Sequence, residues 1–253
     1  MRLEITTYVG CPINCTDCPQ GLLRSVYKGR KLMRLEDYKA AIDKVPRECR
    51  IDFSGMCEPF ANDACTDMIL YAAEKGHPIA LYSTLQGATM DDWERLKDVE
   101  YEVCTIHIPD KNGRSFFRVT DEYLEVLSRW ECHNYSCHGQ IDERVRPYLK
   151  PRNLITFMHD RAGNVSCRPH THIDAERELW CLTSGKAMDH NVLMPDGTVL
   201  MCCMDYGMTG IFGNLFEQTY EEVLHSDAAE KMRNTLMKGE SICRHCTNAQ
   251  ILA

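Results

Sequence analysis

Between positions 10 and 20 the chain reads Gly-Cys-Pro-Ile-Asn-Cys-Thr-Asp-Cys-Pro-Gln, with three and then two residues between Cys11, Cys15 and Cys18. One short loop of this kind can wrap its thiolates around three corners of a metal cluster. A cube-shaped cluster has four corners, so one iron is left open to a small molecule, much as a catalytic metal site keeps one position free. By residue type alone, the same three cysteines also suit half of a zinc site or part of a disulfide framework. A second set lies late in the chain: Cys181, the pair Cys202 and Cys203, and Cys243-Arg244-His245-Cys246. Four thiolates drawn together there can hold zinc or an iron–sulfur cluster, and ligand type does not separate the two.

The elements that must position these groups are legible from periodicity. Residues 2–9, rich in Ile, Thr, Tyr and Val, read as a strand leading into the cysteine loop. Helical spacing over 34–45 is followed by a strand at 50–53, a helix at 67–75, a strand at 79–83, a helix at 91–96, a strand at 102–108 and a helix at 121–130. Such alternation implies parallel strands joined by right-handed crossovers, with chemistry gathered at the C-terminal ends of the strands. Further on, 191–194, a Pro195-Asp196-Gly197 turn and 198–201 predict a β-hairpin. Thr219 and Glu222 form a capping-box signature, and 228–238 predicts a helix leading to the last cysteine pair.

On these residues the chain resembles the radical S-adenosylmethionine (SAM) superfamily. In that superfamily the three-cysteine loop binds a [4Fe-4S] cluster whose open iron chelates SAM, and reductive cleavage yields a 5′-deoxyadenosyl radical. The resemblance implies an α/β fold: a partial (β/α)6 TIM-type barrel over residues 1–164, then a small β-hairpin plus helix cluster-binding domain over 165–253. The stretch Ser54-Gly55-Met56-Cys57-Glu58-Pro59 resembles the family's Gly-x-Gly-Glu-Pro segment, which makes Gly55 and Glu58 SAM contacts, with Cys57 in place of the second glycine. Ser83 and Thr84 stand where relatives put side chains on the SAM carboxylate or ribose. A plain structural reading is also open, in which Glu58 caps the next helix and the two hydroxyls satisfy turn backbone. Asp17 occupies the place of an aromatic residue that many relatives pack on adenine. Asp160-Arg161-Ala162-Gly163-Asn164 resembles a family segment that aims an arginine at substrate, so Arg161 is the expected substrate contact.

The order Cys181, hairpin, Cys202, Asp205, Gly213-Asn214-Leu215, helix, Cys243-x-x-Cys246 resembles the short auxiliary-cluster domain called Twitch, related to SPASM. The resemblance makes Cys181, Cys202, Cys243 and Cys246 the ligands of a second, fully ligated [4Fe-4S] cluster suited to electron transfer. By size and order of elements the likeness is to radical SAM dehydrogenases that oxidise an aminocyclitol alcohol. It implies an enzyme that abstracts hydrogen from a hydroxyl-bearing carbon of a sugar or cyclitol, fed by an external donor such as flavodoxin or ferredoxin. The alternatives are an epimerase in which a cysteine returns hydrogen, with Cys57, Cys167 and Cys203 left over from ligation, a peptide-modifying maturase, and a non-enzymatic structural zinc protein. Cys203 is the candidate donor, and Asp205 is expected to hydrogen-bond backbone.

Composition narrows the field. Of 253 residues 44% are hydrophobic, enough to bury a full core, and 15 are cysteines. No run approaches the roughly 18 apolar residues of a membrane span, and the N-terminal residues lack a signal peptide's pattern. A cytoplasmic, reducing location and metal binding are therefore expected rather than disulfides. A net charge of -8 gives no general attraction to nucleic acid or membranes. The basic cluster Arg24, Lys28, Arg30, Lys31 and Arg34 reads as a solvated connector, and Cys132, His133, Cys137 and His138, like His170 and His172, lack zinc-like spacing.

Overall fold

The computed structural model describes residues 1–165 and 172–252. In chain order the elements are β1 (Arg2–Ile5), α1 (Gln20–Val26), α2 (Leu35–Ile42), β2 (Arg50–Phe53), α3 (Cys65–Glu74), β3 (Ile79–Ser83), α4 (Met90–Leu96), β4 (Tyr101–His107), α5 (Asp121–Arg129), β5 (Asn134–Ser136) and β6 (Asn153–Ile155). They continue with β7 (Leu179–Cys181), β8 (His190–Leu193), β9 (Thr198–Leu200), β10 (Ile211–Asn214), α6 (Tyr220–Leu224), α7 (Asp227–Met237) and β11 (Ala249–Ile251). Hydroxyl caps set the helix starts: Thr89, Thr120, Thr219 and Ser226 each accept from a first-turn backbone N–H. Thr219 and Glu222 form the expected capping box.

Nine strands form one sheet in the order β10-β9-β8-β1-β2-β3-β4-β5-β6. From β1 to β6 every pairing is parallel and between chain neighbours, as crossovers of one hand require. The sheet ends at β6 on one side and β10 on the other, so the barrel is partial, as expected. The predicted hairpin is β8 and β9, and β8 runs parallel to β1 with Arg2 opposite His190 and Ile5 opposite Leu193. The hairpin thus extends the barrel's own sheet. A second sheet pairs β7 with β11 and sets Cys181 opposite Ala249.

The strand period of two sorts side chains between two environments. Leu3, Ile5, Ile51, Phe53, Ile79 and Leu81 enter the core with Tyr38, Ile42, Met68 and Ile69 of the outer helices. Full burial of such a side chain contributes about 1.5–3 kcal/mol. The alternate residues Glu4, Asp52, Tyr82 and Thr105 line the barrel interior instead. Strand β1 is shorter than the predicted 2–9, because the chain then leaves the ladder: Val9 donates to the Lys31 carbonyl, and Tyr8 bridges Leu32. That departure starts the cysteine loop. Within the basic connector, Arg30 pairs with Asp37 and donates to the Pro195 carbonyl, fastening it to the hairpin turn.

Candidate functional site

Loops at the C-terminal ends of the strands surround a cavity of about 440 Å3. Cys11, Cys15 and Cys18 line it together, joined by Gly55, Cys57, Glu58 and Thr84 from the loops after β2 and β3 and by Arg161, Cys203 and Tyr206. Each loop sulfur has one partner brought from elsewhere in the chain. The Glu58 N–H donates to Cys11 Sγ (3.3 Å), Ser115 Oγ donates to Cys15 Sγ (3.0 Å), and Cys18 Sγ lies 3.4 Å from the Tyr206 hydroxyl. Burial raises the Cys11 thiol and pushes Cys15 up to about 11.

Gly55 is explained by packing as well as by its place in the cavity wall. Its φ is +55°, and a Cβ would stand 2.6 Å from Thr6 Oγ1 and 2.8 Å from the Ile5 carbonyl, so a side chain there would push β2's loop off the end of β1. Glu58, 3% exposed, accepts from Ser83 Oγ, Thr84 N–H and Thr84 Oγ1, each at 2.6 Å, and from Phe60 N–H at 3.2 Å. Burial pushes its carboxyl up, and the donors from Ser83, Thr84 and Phe60 offset this only in part. Glu58 also caps the turn at Pro59–Ala61, while Ser83 and Thr84 accept from Leu85 N–H and Gln86 N–H. The structural roles weighed from sequence are therefore present. Of this trio, Glu58 and Thr84 reach the cavity wall, and Ser83 sits behind Glu58. Asp17 pairs with Arg114 at 3.1 Å.

Arg161, at φ +52°, places its guanidinium 5.8 Å from the Tyr206 ring centroid. Burial works against its charge, but Tyr206, Cys203, Cys18 and Glu4 hold its pKa above the ordinary value. The preceding Asp160 accepts from Ala162 N–H and from both N–H and Oγ1 of Thr247, tying the Arg161 turn to the residue after Cys246. Asp205 accepts from Thr209 and Gly210 backbone, as expected.

A second cavity is lined by Cys181, Cys202, Cys243 and Cys246 together. The two-stranded β7–β11 sheet delivers the first, the end of β9 the second, and the turn at Ile242–His245 the last pair. Arg244 holds that turn. It is fully buried, and its guanidinium donates to the carbonyls of Gly239, Asp174, Arg177 and Thr235. Burial pushes Cys243 up to about 12 and Cys246 to about 11, while hydroxyls of Thr183 and Ser184 help pull Cys181 down against its burial. The wall between the two cavities is shared by Thr183, His190, Cys203, Met204 and Asn248.

Thiolate sets of this kind suit zinc or an iron–sulfur cluster. Among the described residues, the one group of three or more ligating atoms within 4.8 Å of one another is His172, Glu240 and His245, on the surface. The fourteen described cysteines are all free thiols. Cys167 and His170 lie outside the described residues.

Sequence reasoning missed the polar barrel interior. Glu4 Oε1 lies 2.7 Å from His190 Nε2, its other oxygen accepts from Ser54, and Asp52 takes two hydrogen bonds from Arg50. His107 and His138 stack edge to face across the same space, and burial pushes His107 down to about 4. A signal was present: Arg2-Leu-Glu4-Ile and Arg50-Ile-Asp52-Phe alternate charge with apolar residues, where a parallel strand buried on both faces would be apolar throughout.

Residues 181–247 match the SPASM family, described as an iron–sulfur cluster-binding domain. No curated protein matches the chain in sequence. Among solved structures, BtrN in complex with AdoMet and 2-DOIA is similar at TM-score 0.67 and 18% identity, over 98% of this chain and 92% of that one. SuiB of Streptococcus suis bound to its precursor peptide SuiA is similar at TM-score 0.60 and 14% identity, over 97% of this chain and 69% of the other. Native anSMEcpe with bound AdoMet is similar at TM-score 0.55 and 12% identity, over 97% and 86%. The chain thus has the expected partial-barrel fold, shared with these structures, and its residues 181–247 are similar to an iron–sulfur cluster-binding domain.

Proposed function

We propose that this chain is a radical SAM enzyme that removes a hydrogen atom from a hydroxyl-bearing carbon of a small carbohydrate or cyclitol and oxidises it to the ketone. Cys11, Cys15 and Cys18 would hold the SAM-binding [4Fe-4S] cluster, and Cys181, Cys202, Cys243 and Cys246 the auxiliary one. When bound, SAM and the first cluster supply a 5′-deoxyadenosyl radical, and the second cluster supplies a one-electron acceptor. One observation carries the reading: the cavity lined by the three-cysteine loop and by polar side chains shares a wall with the cavity of the four other cysteines. Radical source, substrate space and electron acceptor then adjoin.

The chain's own groups bind, orient and shield. Glu58 and Thr84, with the Gly55 backbone, form the wall beside the cysteine loop where the SAM amino-acid end would lie. Arg161 presents a permanent charge and several donors to a substrate oxygen. Carboxylates and imidazoles inside the barrel match hydroxyls better than an apolar substrate, which would leave them unpaired. The similarity to BtrN solved with 2-DOIA supports a small substrate of this kind. An external flavodoxin or ferredoxin would supply the reducing electron.

A second reading, epimerisation, is favoured by Cys203, which lines the main cavity beside Glu4 and Arg161. The test is anaerobic turnover of SAM with a panel of cyclitols and amino sugars deuterated at each carbinol carbon. The proposal expects one ketone per 5′-deoxyadenosine, with deuterium carried into the latter. Inverted alcohol in place of ketone would establish the epimerase instead, and peptide-dependent turnover alone would replace both.

A further inference from the structure

We infer that Tyr206 tunes the cluster held by the N-terminal cysteine loop: its hydroxyl donates to the Cys18 sulfur, so the C-terminal part of the chain sets how readily that cluster is reduced. The inference rests on the reading of Cys11, Cys15 and Cys18 as cluster ligands. The three loop sulfurs each have a close partner, and the partners differ in origin. The Glu58 N–H and the Ser115 hydroxyl belong to the barrel, whereas Tyr206 follows β9, four residues after the expected auxiliary ligand Cys202.

The direction of the third bond is fixed by chemistry. A ligating thiolate has no proton to give, so at 3.4 Å the hydroxyl must be the donor. Tyr206 is 2% exposed, and its hydroxyl has no other hydrogen-bond partner among the described residues. Its ring is fixed in a cluster with Val9, Leu23, Tyr27 and Met56, and the Arg161 guanidinium lies over it. Rotation away from Cys18 would leave a buried hydroxyl unpaired, which costs about 1–3 kcal/mol. Gln20 Nε2 gives one N–H to the Met56 carbonyl and a second, at 3.8 Å, to the same sulfur, a longer bond than that of Tyr206. A hydrogen bond to a cluster sulfur favours the reduced state, which carries one more negative charge. Loss of the hydroxyl must therefore make the cluster harder to reduce. Asp205 donates its N–H to the Cys202 carbonyl and accepts from Thr209 and Gly210, so the turn that carries Tyr206 is anchored at the expected auxiliary ligand.

The experiment is a potentiometric titration followed by electron paramagnetic resonance on the reconstituted full chain. The first cluster is identified by the change of its signal on SAM addition and by its absence from a Cys11/Cys15/Cys18→Ala variant. In Tyr206→Phe, iron and sulfide content should match wild type, and reduction of the first cluster should become about tenfold less favourable. That is a midpoint lower by about 59 mV for one electron. The auxiliary cluster should titrate as before. Tyr206→3-fluorotyrosine keeps the ring and makes the hydroxyl a stronger donor, so it should move the first midpoint upward. Unchanged midpoints in both variants, or equal shifts of both clusters, overturn the inference. So does loss of iron from Tyr206→Phe with no shift in the fluorinated protein, which would mark a packing role. A wild type with no SAM-sensitive signal, and a triple variant that keeps all its iron, would instead sink the ligand reading beneath it.

Discussion

Replacing Arg244 should empty the auxiliary site while leaving the first one loaded. The side chain is fully buried and satisfies four backbone carbonyls, those of Gly239, Asp174, Arg177 and Thr235. These carbonyls come from the segment after β6, from α7 and from the turn after it. One guanidinium thus fastens three pieces of chain around Cys243 and Cys246. In Arg244→Met all four bonds go, and at about 1 kcal/mol net each the loss is about 4 kcal/mol. Protein domains are stable by only about 5–15 kcal/mol in total, so the C-terminal turn is expected to open well before the barrel. Arg244→Lys should recover little, because one ammonium cannot reach carbonyls set around a planar fork. The assay is iron and sulfide content of the anaerobically reconstituted protein together with its thermal midpoint. Arg244→Met should fall from about eight to about four irons per chain, and its midpoint should drop by about 8–16 °C. Full iron content with a midpoint within about 1 °C of wild type would refute the claim that this side chain builds the site.

Other expectations follow from the same geometry. Glu58→Gln sets an amide N–H2 against donors from Ser83 or Thr84, so SAM affinity measured by calorimetry should fall at least about tenfold, the worth of one charged hydrogen bond. Arg161→Ala should lower product formation more than substrate-free SAM cleavage, raising the ratio of 5′-deoxyadenosine to ketone. Cys203→Ala should leave ketone formation in place under the dehydrogenase reading, whereas an epimerase would lose its product. Burial first, then the charges of His138 and Arg161, holds His107 at about 4 against 6.5. A depressed histidine contributes stability that is full above pH 6.5 and lost as pH falls toward 4. His107→Gln should therefore flatten acid-induced loss of the denaturation midpoint in that window, and an unchanged acid limb would remove His107 from the account.

How much of this was legible depended on the range of the signal. Strands β2 and β3 lie where the sequence places them: Arg50–Phe53 alternates charged with apolar residues, and Ile79–Ser83 is a short, mostly apolar run. The first cysteine set was legible from spacing within one loop, whereas the second, drawn from Cys181 to Cys246, was grouped through the order of elements that the resemblance supplied. Strands β6, β7 and β11 were not: each has three residues, and β7 and β11 also lean on each other from opposite ends of the C-terminal part. The pairing of Glu4 with His190 spans nearly the whole chain and exists only because β8 lies beside β1. Arg244 reads as an ordinary polar residue between two cysteines until the four carbonyls around it are seen. Asp160 was expected only as the neighbour of Arg161, and its bonds to Thr247 are what carry that turn to the second site.

No helix among the described residues is long and apolar enough to cross a membrane. Two cysteine sites, in the proposed function, hold two clusters with divided roles. The most direct test is iron and sulfide content, with 5′-deoxyadenosine formed from SAM under reduction, for wild type and for Cys11/Cys15/Cys18→Ala. Wild type should carry about eight irons and the variant about four, with 5′-deoxyadenosine lost along with the missing four. Zinc in place of iron, or iron-loaded wild type that leaves SAM intact, would contradict that function.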